Sequence, residues 1–253
     1  MKAGDFTDLA KAYHHRLSYS ATVLSVIAKR VGAFEKEKFL VADVGAGTGK
    51  LTENLCSLGV SVVAVEPNDA MRTEGAAALR GKVEFRAGSG EQTGLDTGSA
   101  DWLLMASSFH WVDTAKGLAE FHRVLKPGGY FTALWNPRDL ERSQLHKQIE
   151  DRIKEIVPTL DRRSSGSSKF TEDLDLKLVS TGHFEDCFYL ESRYEITMPV
   201  ERYIGAWTSV NDIQVQAGPD RWKLILSAIE DACRGMQTIV VPYRTRAWTV
   251  RRK

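Results

Sequence analysis

The sequence predicts an α/β protein built on a parallel sheet that is covered on both faces. Three observations predict it. Short apolar runs bounded by turn residues recur between residues 39 and 135. Stretches with helical periodicity lie between those runs. One run passes directly into three alternating glycines, Gly45, Gly47 and Gly49, and then into a helical pattern. Strands buried on both faces read as continuous apolar runs, and their alternation with helices marks a parallel sheet.

The elements follow in order. Residues 5–32 have helical periodicity, with Tyr13, His14, His15, Arg16 and Tyr19 forming an aromatic and basic front. Residues 39–44 are a short apolar run closed by Gly45, a buried strand. Leu51, Leu55 and Leu58 recur at helical spacing and set a helix over residues 48–58. Residues 61–65 form a second strand, ended by Glu66 and Pro67. An alanine-rich helix over about 69–80, a third strand at 83–85 and a fourth at 102–106 come next.

Asp113 reads as an N-cap, and Leu118, Phe121, His122 and Leu125 share one face of the helix behind it. Lys126-Pro127-Gly128-Gly129 is a turn signal ahead of a fifth strand at 130–135. A polar helix follows Pro137 to about Val157, and residues 162–169 read as a loose surface loop. Residues 184–197 and 238–250 look strand-rich, with helices between them and no internal repeat.

Composition narrows the function classes. The 253 residues are 43% hydrophobic and 26% charged, as in a folded globular chain. Lys+Arg number 34 and Asp+Glu 33, a net charge of +1, so no global field draws in nucleic acid or an acidic membrane. Cys56, Cys187 and Cys233 lie far apart and form no C-x-x-C pair, which suggests neither a disulfide framework nor a metal site. The first residues lack the apolar core of a signal peptide, and no apolar run approaches the roughly 18 residues of a membrane span. The expectation is a reduced, soluble, cytoplasmic protein.

The glycine-rich turn narrows the ligand. Glycine lets the backbone approach a ligand closely, and the helix that follows offers free N–H groups. A phosphate loop aligned on Gly49-Lys50 would need Gly at position 44 and Ser or Thr at 51, where the chain has Val44 and Leu51. A dinucleotide loop aligned on Gly45 and Gly47 would need Gly at position 50, where the chain has Lys50. Glu66, at a strand end, can grip a ribose diol in either a nicotinamide cofactor or another nucleoside. Asp43, two residues before the first glycine, would repel a pyrophosphate and suits a ligand with an ammonium group. S-adenosylmethionine has an ammonium group, an adenosine and no phosphate.

Residues 43–49, Asp-Val-Gly-Ala-Gly-Thr-Gly, resemble motif I of the class I S-adenosylmethionine-dependent methyltransferases. Residues 63–67 with Met71 resemble the family's second motif. Gly88-Ser89-Gly90-Glu91, with Leu95, Ser99 and Asp101, is similar to its adenine-contacting segment. Phe109-His110-Trp111 and residues 125–129 are similar to the small-molecule branch of type 11 methyltransferases that includes trans-aconitate methyltransferase-like enzymes. The resemblance covers residues 10–135 well and the rest weakly.

The resemblance implies a doubly wound, seven-stranded, mostly parallel sheet with an antiparallel last strand within 238–251, plus helical lid additions. It implies one domain over residues 1–253: a helical cap at 1–34, a cofactor-binding core at 35–136, and a C-terminal half at 137–253 with acceptor-side insertions. Glu66 would hold the ribose hydroxyls, Gly45 and Gly47 would line the methionine part, and Asp43 would orient the loop or the ammonium group. Ser89 and Gly90 would border the adenine, with Glu91 substituting for the aspartate many relatives carry at position 89. Tyr13 and Arg16 would close over the cofactor, and Pro67, Met71 and Ser107 complete that side. The expected cofactor is S-adenosyl-L-methionine and the expected partner a small-molecule acceptor, with nucleic acid disfavoured.

On the acceptor side, His110 is the candidate base, because it follows the fourth strand at the carboxyl edge of the sheet. The alternative, and the commoner role of such a histidine, is to cap the following turn or pack beside the cofactor. Trp111, Trp135, Asn136, Tyr203 and Trp207 are candidate acceptor-pocket residues, and large aromatics of this kind also serve as core. His122 falls on an apolar helix face and reads as a core histidine, while His14 and His15 are adjacent and cannot share a face. The basic tail from Arg244 reads as the solvated face of an edge strand. Two other readings stay open: a nicotinamide-dependent oxidoreductase, and a protein that binds S-adenosylmethionine without catalysis.

Overall fold

The computed structural model describes residues 6–162 and 168–253, apart from the side chains of Asp8, Lys11, His14, Ser168 and Lys169. Most of the expected loose loop at 162–169 and the His14 side chain lie outside the described residues. One sheet organises the molecule. Its strands are β1 (Leu40–Val44), β2 (Ser61–Val65), β3 (Glu84–Arg86), β4 (Ala100–Ala106), β5 (Leu125–Trp135), β6 (Phe184–Pro199) and β7 (Thr238–Arg252). They lie in the order β3-β2-β1-β4-β5-β7-β6. The first five are parallel, and β7 runs antiparallel to both β5 and β6.

The helices are α1 (Ala21–Arg30), α2 (Lys50–Ser57), α3 (Asp69–Ala78), α4 (Thr114–Val124), α5 (Gln144–Ile156), α6 (Ser168–Thr171), α7 (Leu174–Val179), α8 (Val200–Trp207) and α9 (Asn211–Ala232). Strand order reverses between β1 and β4, so the crevice of this doubly wound sheet opens over the carboxyl ends of those strands. The central strands are apolar throughout because both faces are covered. Val41, Trp102 and Leu104 pack with α1 and α2 residues such as Ile27 and Leu55, while Ala42, Leu103 and Phe131 pack with Leu118 and Phe121 of α4. A separate cluster joins Ile149 and Ile153 of α5, Tyr203 and Trp207 of α8, Ile213 and Ile225 of α9, and Val241 of β7.

Five expectations are corrected here. The N-terminal segment is not one helix. Two short 3-10 turns, Thr7–Leu9 and Lys11–His15, give way to extended backbone at Arg16 before α1. Tertiary hydrogen bonds replace the helical ones: Asn136 Nδ2 donates to the Ser18 carbonyl (3.1 Å), Tyr19 N–H donates to Asn54 Oδ1 (3.3 Å), and Ser20 N–H donates to Thr245 Oγ1 (3.0 Å).

The turn signal at 126–129 lies inside β5, which begins at Leu125 paired with Ala100 across an irregular register. The basic tail is not an edge strand. β7 sits between β5 and β6, and Arg251 pairs with Glu185 (2.7 Å) and Asp186 (2.8 Å). Asp101, read as part of an adenine-contacting segment, lies at the amino end of β4. There it accepts from Lys36 (2.8 Å), Lys126 (2.7 Å) and the Leu40 N–H (3.0 Å).

The polar helix after Pro137 begins only at α5, capped by Ser143, and α9 is broken at Gly218 (φ 71°), ahead of Pro219.

Candidate functional site

A cleft of about 250 Å³ opens over the carboxyl ends of β1, β2 and β4. The structure brings twelve of the sequence-derived candidates to its wall: Tyr13, Arg16, Asp43, Gly45, Gly47, Glu66, Pro67, Met71, Ser89, Gly90, Glu91 and Ser107. Trp111 lines it as well.

The floor is the glycine turn between β1 and α2. The Gly45 and Ala46 N–H groups donate to the Val65 carbonyl at 2.8 and 3.1 Å, which ties the turn to β2. Gly45 has φ +70°, and a Cβ there would lie 2.7 Å from Ser108 Oγ, so position 45 needs glycine for both conformation and space. Glu66, at the end of β2, accepts from the Gly47 N–H through Oε2 and from the Asn68 N–H through Oε1, both at 2.9 Å. Burial raises the Glu66 pKa, against the pull of those two bonds.

Asp43 is fully buried beneath this turn. Its Oδ2 accepts from the Thr52 hydroxyl at 2.6 Å, while Oδ1 has no hydrogen-bond partner among the described residues. Burial pushes its carboxyl up to about 7. The buried Thr48 hydroxyl is also without a partner among the described residues. A floor of this kind, with one orphaned carboxylate oxygen, suits a cationic ligand group and not a phosphate.

Ser89 and Glu91 form the far wall. The Ser89 hydroxyl donates to Glu91 Oε2 (3.0 Å), and Glu91 Oε1 accepts from the Asp113 N–H (2.9 Å), so Glu91 bridges this turn to the cap of α4. The N-terminal segment forms the roof. The Arg16 guanidinium lies 4.2 Å from the Tyr13 ring centroid, and it donates to Ser209 through Nε (Oγ, 2.8 Å) and Nη2 (carbonyl, 3.0 Å). Phe6 meets Tyr13 and Trp111 edge-on at 5.6 and 6.2 Å.

A second cavity of about 110 Å³ adjoins the first. The two share Arg16, Leu17, Tyr19 and Ser107. Asn136, Pro137, Arg138, Arg162, Ala206, Val210 and Tyr243 complete the second wall. Asn136 is a clamp more than a free contact, since its Oδ1 already accepts from Tyr194 (2.9 Å) and Thr245 (2.7 Å). Tyr19 and Arg138 were missed as site residues. Tyr19 belonged to the aromatic front noted in the sequence, but nothing local signals Arg138.

Four candidates stand outside both walls. His110 lies in the 3-10 turn Phe109–Trp111, and its Nδ1 accepts from Trp135 Nε1 at 3.3 Å. That bond places the proton on Nε2, which is buried without a partner among the described residues. Burial lowers the His110 pKa to about 4. Trp135, Tyr203 and Trp207 are fully buried core members. The expectation that these three line an acceptor pocket is thereby corrected: their large apolar surfaces hold the sheet and α8 together.

His122 is only half-buried and stacks on His183 at 4.7 Å, so it is not a core histidine. Among the described residues no group of three or more His, Cys, Asp or Glu could hold a metal ion, and no helix is long and apolar enough to cross a membrane.

Comparison with known proteins bears on this site. Residues 42–133 match the methyltransferase domain family Methyltransf_11. Over 99 residues the chain is 46% identical to an uncharacterized methyltransferase of Mycobacterium tuberculosis (strain ATCC 25618 / H37Rv), covering 39% of this chain and 40% of that protein. The match thus spans well under half the length of this curated relative. A proposed type II methyltransferase from Anaeromyxobacter dehalogenans superposes with a TM-score of 0.65 at 20% identity, covering 93% of this chain and 97% of that one. An N-methyltransferase 2 of Haemonchus contortus, solved with phosphomonomethylethanolamine and S-adenosylhomocysteine, superposes with a TM-score of 0.54 at 14% identity over 96% of this chain and 56% of that one. At those identities the two structures show a shared fold.

Proposed function

From the methyltransferase domain to which residues 42–133 belong, we propose that this chain transfers a methyl group from S-adenosyl-L-methionine to a small-molecule acceptor. One observation carries the choice of donor: the buried, unpartnered Oδ1 of Asp43 at the floor of a cleft whose far strand ends in Glu66. A carboxylate held up to about 7 by burial gains most from a neighbouring cation, and the donor's ammonium group supplies one. Glu66 would take the ribose hydroxyls on its remaining lone pairs, with Ser89 and Gly90 bordering the adenine. When bound, the donor supplies a methyl already made electrophilic by its sulfonium.

The chain's own part is positioning and exclusion of water. Holding two reactants in line is worth about 7–11 kcal/mol of barrier in favourable cases. Tyr13, Tyr19 and Trp111 roof the cleft and shield it. The second cavity, reached past Tyr19 and Ser107, would hold the acceptor. Among its described lining residues there is no Asp, Glu, His or Lys, so this wall offers no proton acceptor suited to neutral pH. No general base is therefore assigned to that wall, which suits an acceptor atom that is unprotonated at neutral pH. His110 lines neither cavity, and its Nδ1 is engaged by Trp135.

Calorimetric titration with S-adenosylhomocysteine, beside reduced nicotinamide dinucleotide, tests the donor. The expected result is a dissociation constant on the order of micromolar for the first and no heat from the second. The reverse would overturn the reading in favour of a dehydrogenase.

A further inference from the structure

Resting on that assignment of the two cavities, we propose that the second cavity takes an acceptor carrying a carboxylate or phosphate group, and that Arg138 is its anchor with Arg16 beside it.

Three arginines, Arg16, Arg138 and Arg162, line this small space, and no acid lines it among the described residues. Arg162 is already matched: it pairs with Glu150 at 2.8 Å and with Asp212 at 3.3 Å. Arg16 donates to Ser209, and among the described residues it meets no carboxylate. Among the described residues Arg138 has neither kind of partner. Its guanidinium carbon stacks 4.0 Å from the Trp207 ring centroid and 5.5 Å from that of Tyr203. Its Nε is buried without a hydrogen-bond partner among the described residues. The neighbouring acid, Asp139, faces Arg193 at 3.5 Å instead.

A half-buried cation without a counter-ion is costly, and a bound anion removes that cost. Stacking on Trp207 fixes the guanidinium plane and leaves its N–H edge for a bidentate carboxylate or phosphate. Trp207 and Tyr203 thus act from behind the wall, as the support of Arg138. At about 110 Å³ the cavity has less than half the volume of the donor cleft, about 250 Å³, so its occupant is smaller than the donor. Leu17, Pro137, Ala206 and Val210 give it an apolar side.

The test uses the full chain, saturated with S-adenosylhomocysteine, titrated with benzoate, succinate and phenyl phosphate and with neutral benzamide and succinamide. We expect at least one anion to bind tenfold or more tightly than the amides. Arg138→Gln should abolish that preference and Arg138→Lys should restore part of it. The carboxylate and phosphate arms separate the two anion types. Amides binding as well as acids, no anion binding at all, or a folded Arg138→Gln variant that keeps the preference would each overturn the proposal. Should Arg138→Gln fail to fold, the wild-type comparison of acid with amide and the Arg138→Lys variant still decide it. Titration of the donor site with S-adenosylhomocysteine alone is read separately: its failure beside Arg138-dependent anion binding sinks the donor assignment and leaves the anion site standing.

Discussion

The Tyr19 hydroxyl donates to Ser107 Oγ at 3.1 Å, and the two residues form a wall common to both cavities. Tyr19 comes from the extended link ahead of α1. Ser107 follows β4 in the left-handed region (φ 53°), fixed by its N–H donating to the Leu134 carbonyl at 2.8 Å. A side chain of the N-terminal segment thus closes onto the strand ends at the point where methyl donor and acceptor would meet.

Removing that bond should loosen the wall without emptying it. Tyr19→Phe keeps the ring and loses one part-buried hydrogen bond, worth about 0.5–1.5 kcal/mol. Urea unfolding should show a loss of about 1 kcal/mol, and turnover should fall several-fold while the far-ultraviolet circular dichroism is kept. A variant with unchanged turnover would remove Tyr19 from the working wall.

Glu66 has a sharper signature because it holds the turn that holds the ligand. Glu66→Ala would leave the Gly47 and Asn68 N–H groups without their acceptor. An unsatisfied donor costs about 1–3 kcal/mol when buried, and these two are part-buried, so the loss falls towards the lower end of that range. The expected outcome is a lower unfolding midpoint together with a loss of tenfold or more in S-adenosylhomocysteine affinity by calorimetry. Destabilisation with unchanged affinity would leave Glu66 as a loop clamp alone.

Buried histidine gives an acid-side prediction. His146 is fully buried against Tyr203, and burial, with the nearby Arg138 charge, lowers its pKa from 6.5 to about 4. The unfolded chain binds this proton more readily, so the stabilisation is full above 6.5 and is lost as pH falls from 6.5 towards 4. The shift corresponds to about 3 kcal/mol at most. Asp43 acts with the opposite sign over part of this range, since its raised pKa makes the folded state the better proton binder. The comparison that isolates the histidine is therefore wild type against His146→Gln, by urea unfolding at pH 5 and pH 7. The wild type should lose more stability on acidification than the variant, and parallel losses would refute the assignment.

Much of this arrangement was legible in the chain, for reasons that differ by residue. Apolar runs such as 61–65 mark central strands, because burial on both faces removes the alternation that would make a strand ambiguous. Glu66 was legible because it ends such a strand beside the glycine turn. Local pattern failed where tertiary contacts decide. The 16–20 stretch has helical periodicity, yet Asn136, Asn54 and Thr245 capture its backbone groups. Arg138 carries no motif. Its meaning comes from Trp207, which lies 69 positions further along the chain and is brought beneath it by α8. Trp135, Tyr203 and Trp207 were legible as large aromatics, but spacing alone does not separate a pocket wall from the packing behind it.

Asp43 ties the donor site to pH. Its carboxyl is pushed up to about 7 by burial, against the hydrogen bond from Thr52. A ligand cation is held by the ionised form. Below pH 7 binding must therefore release a proton from Asp43, and above pH 7 the carboxylate is already charged. Donor affinity should rise as pH climbs from 6 through 7 and level off near 8, a gain approaching tenfold per unit on the acid side. Calorimetry in two buffers of different ionisation heat should show that proton released at pH 6. Asp43→Asn should bind S-adenosylhomocysteine more weakly and with no such slope. A wild-type affinity that is flat between pH 6 and 8, with no proton released, would mean that the Asp43 oxygen faces no cation and that its buried charge serves only the glycine turn above it.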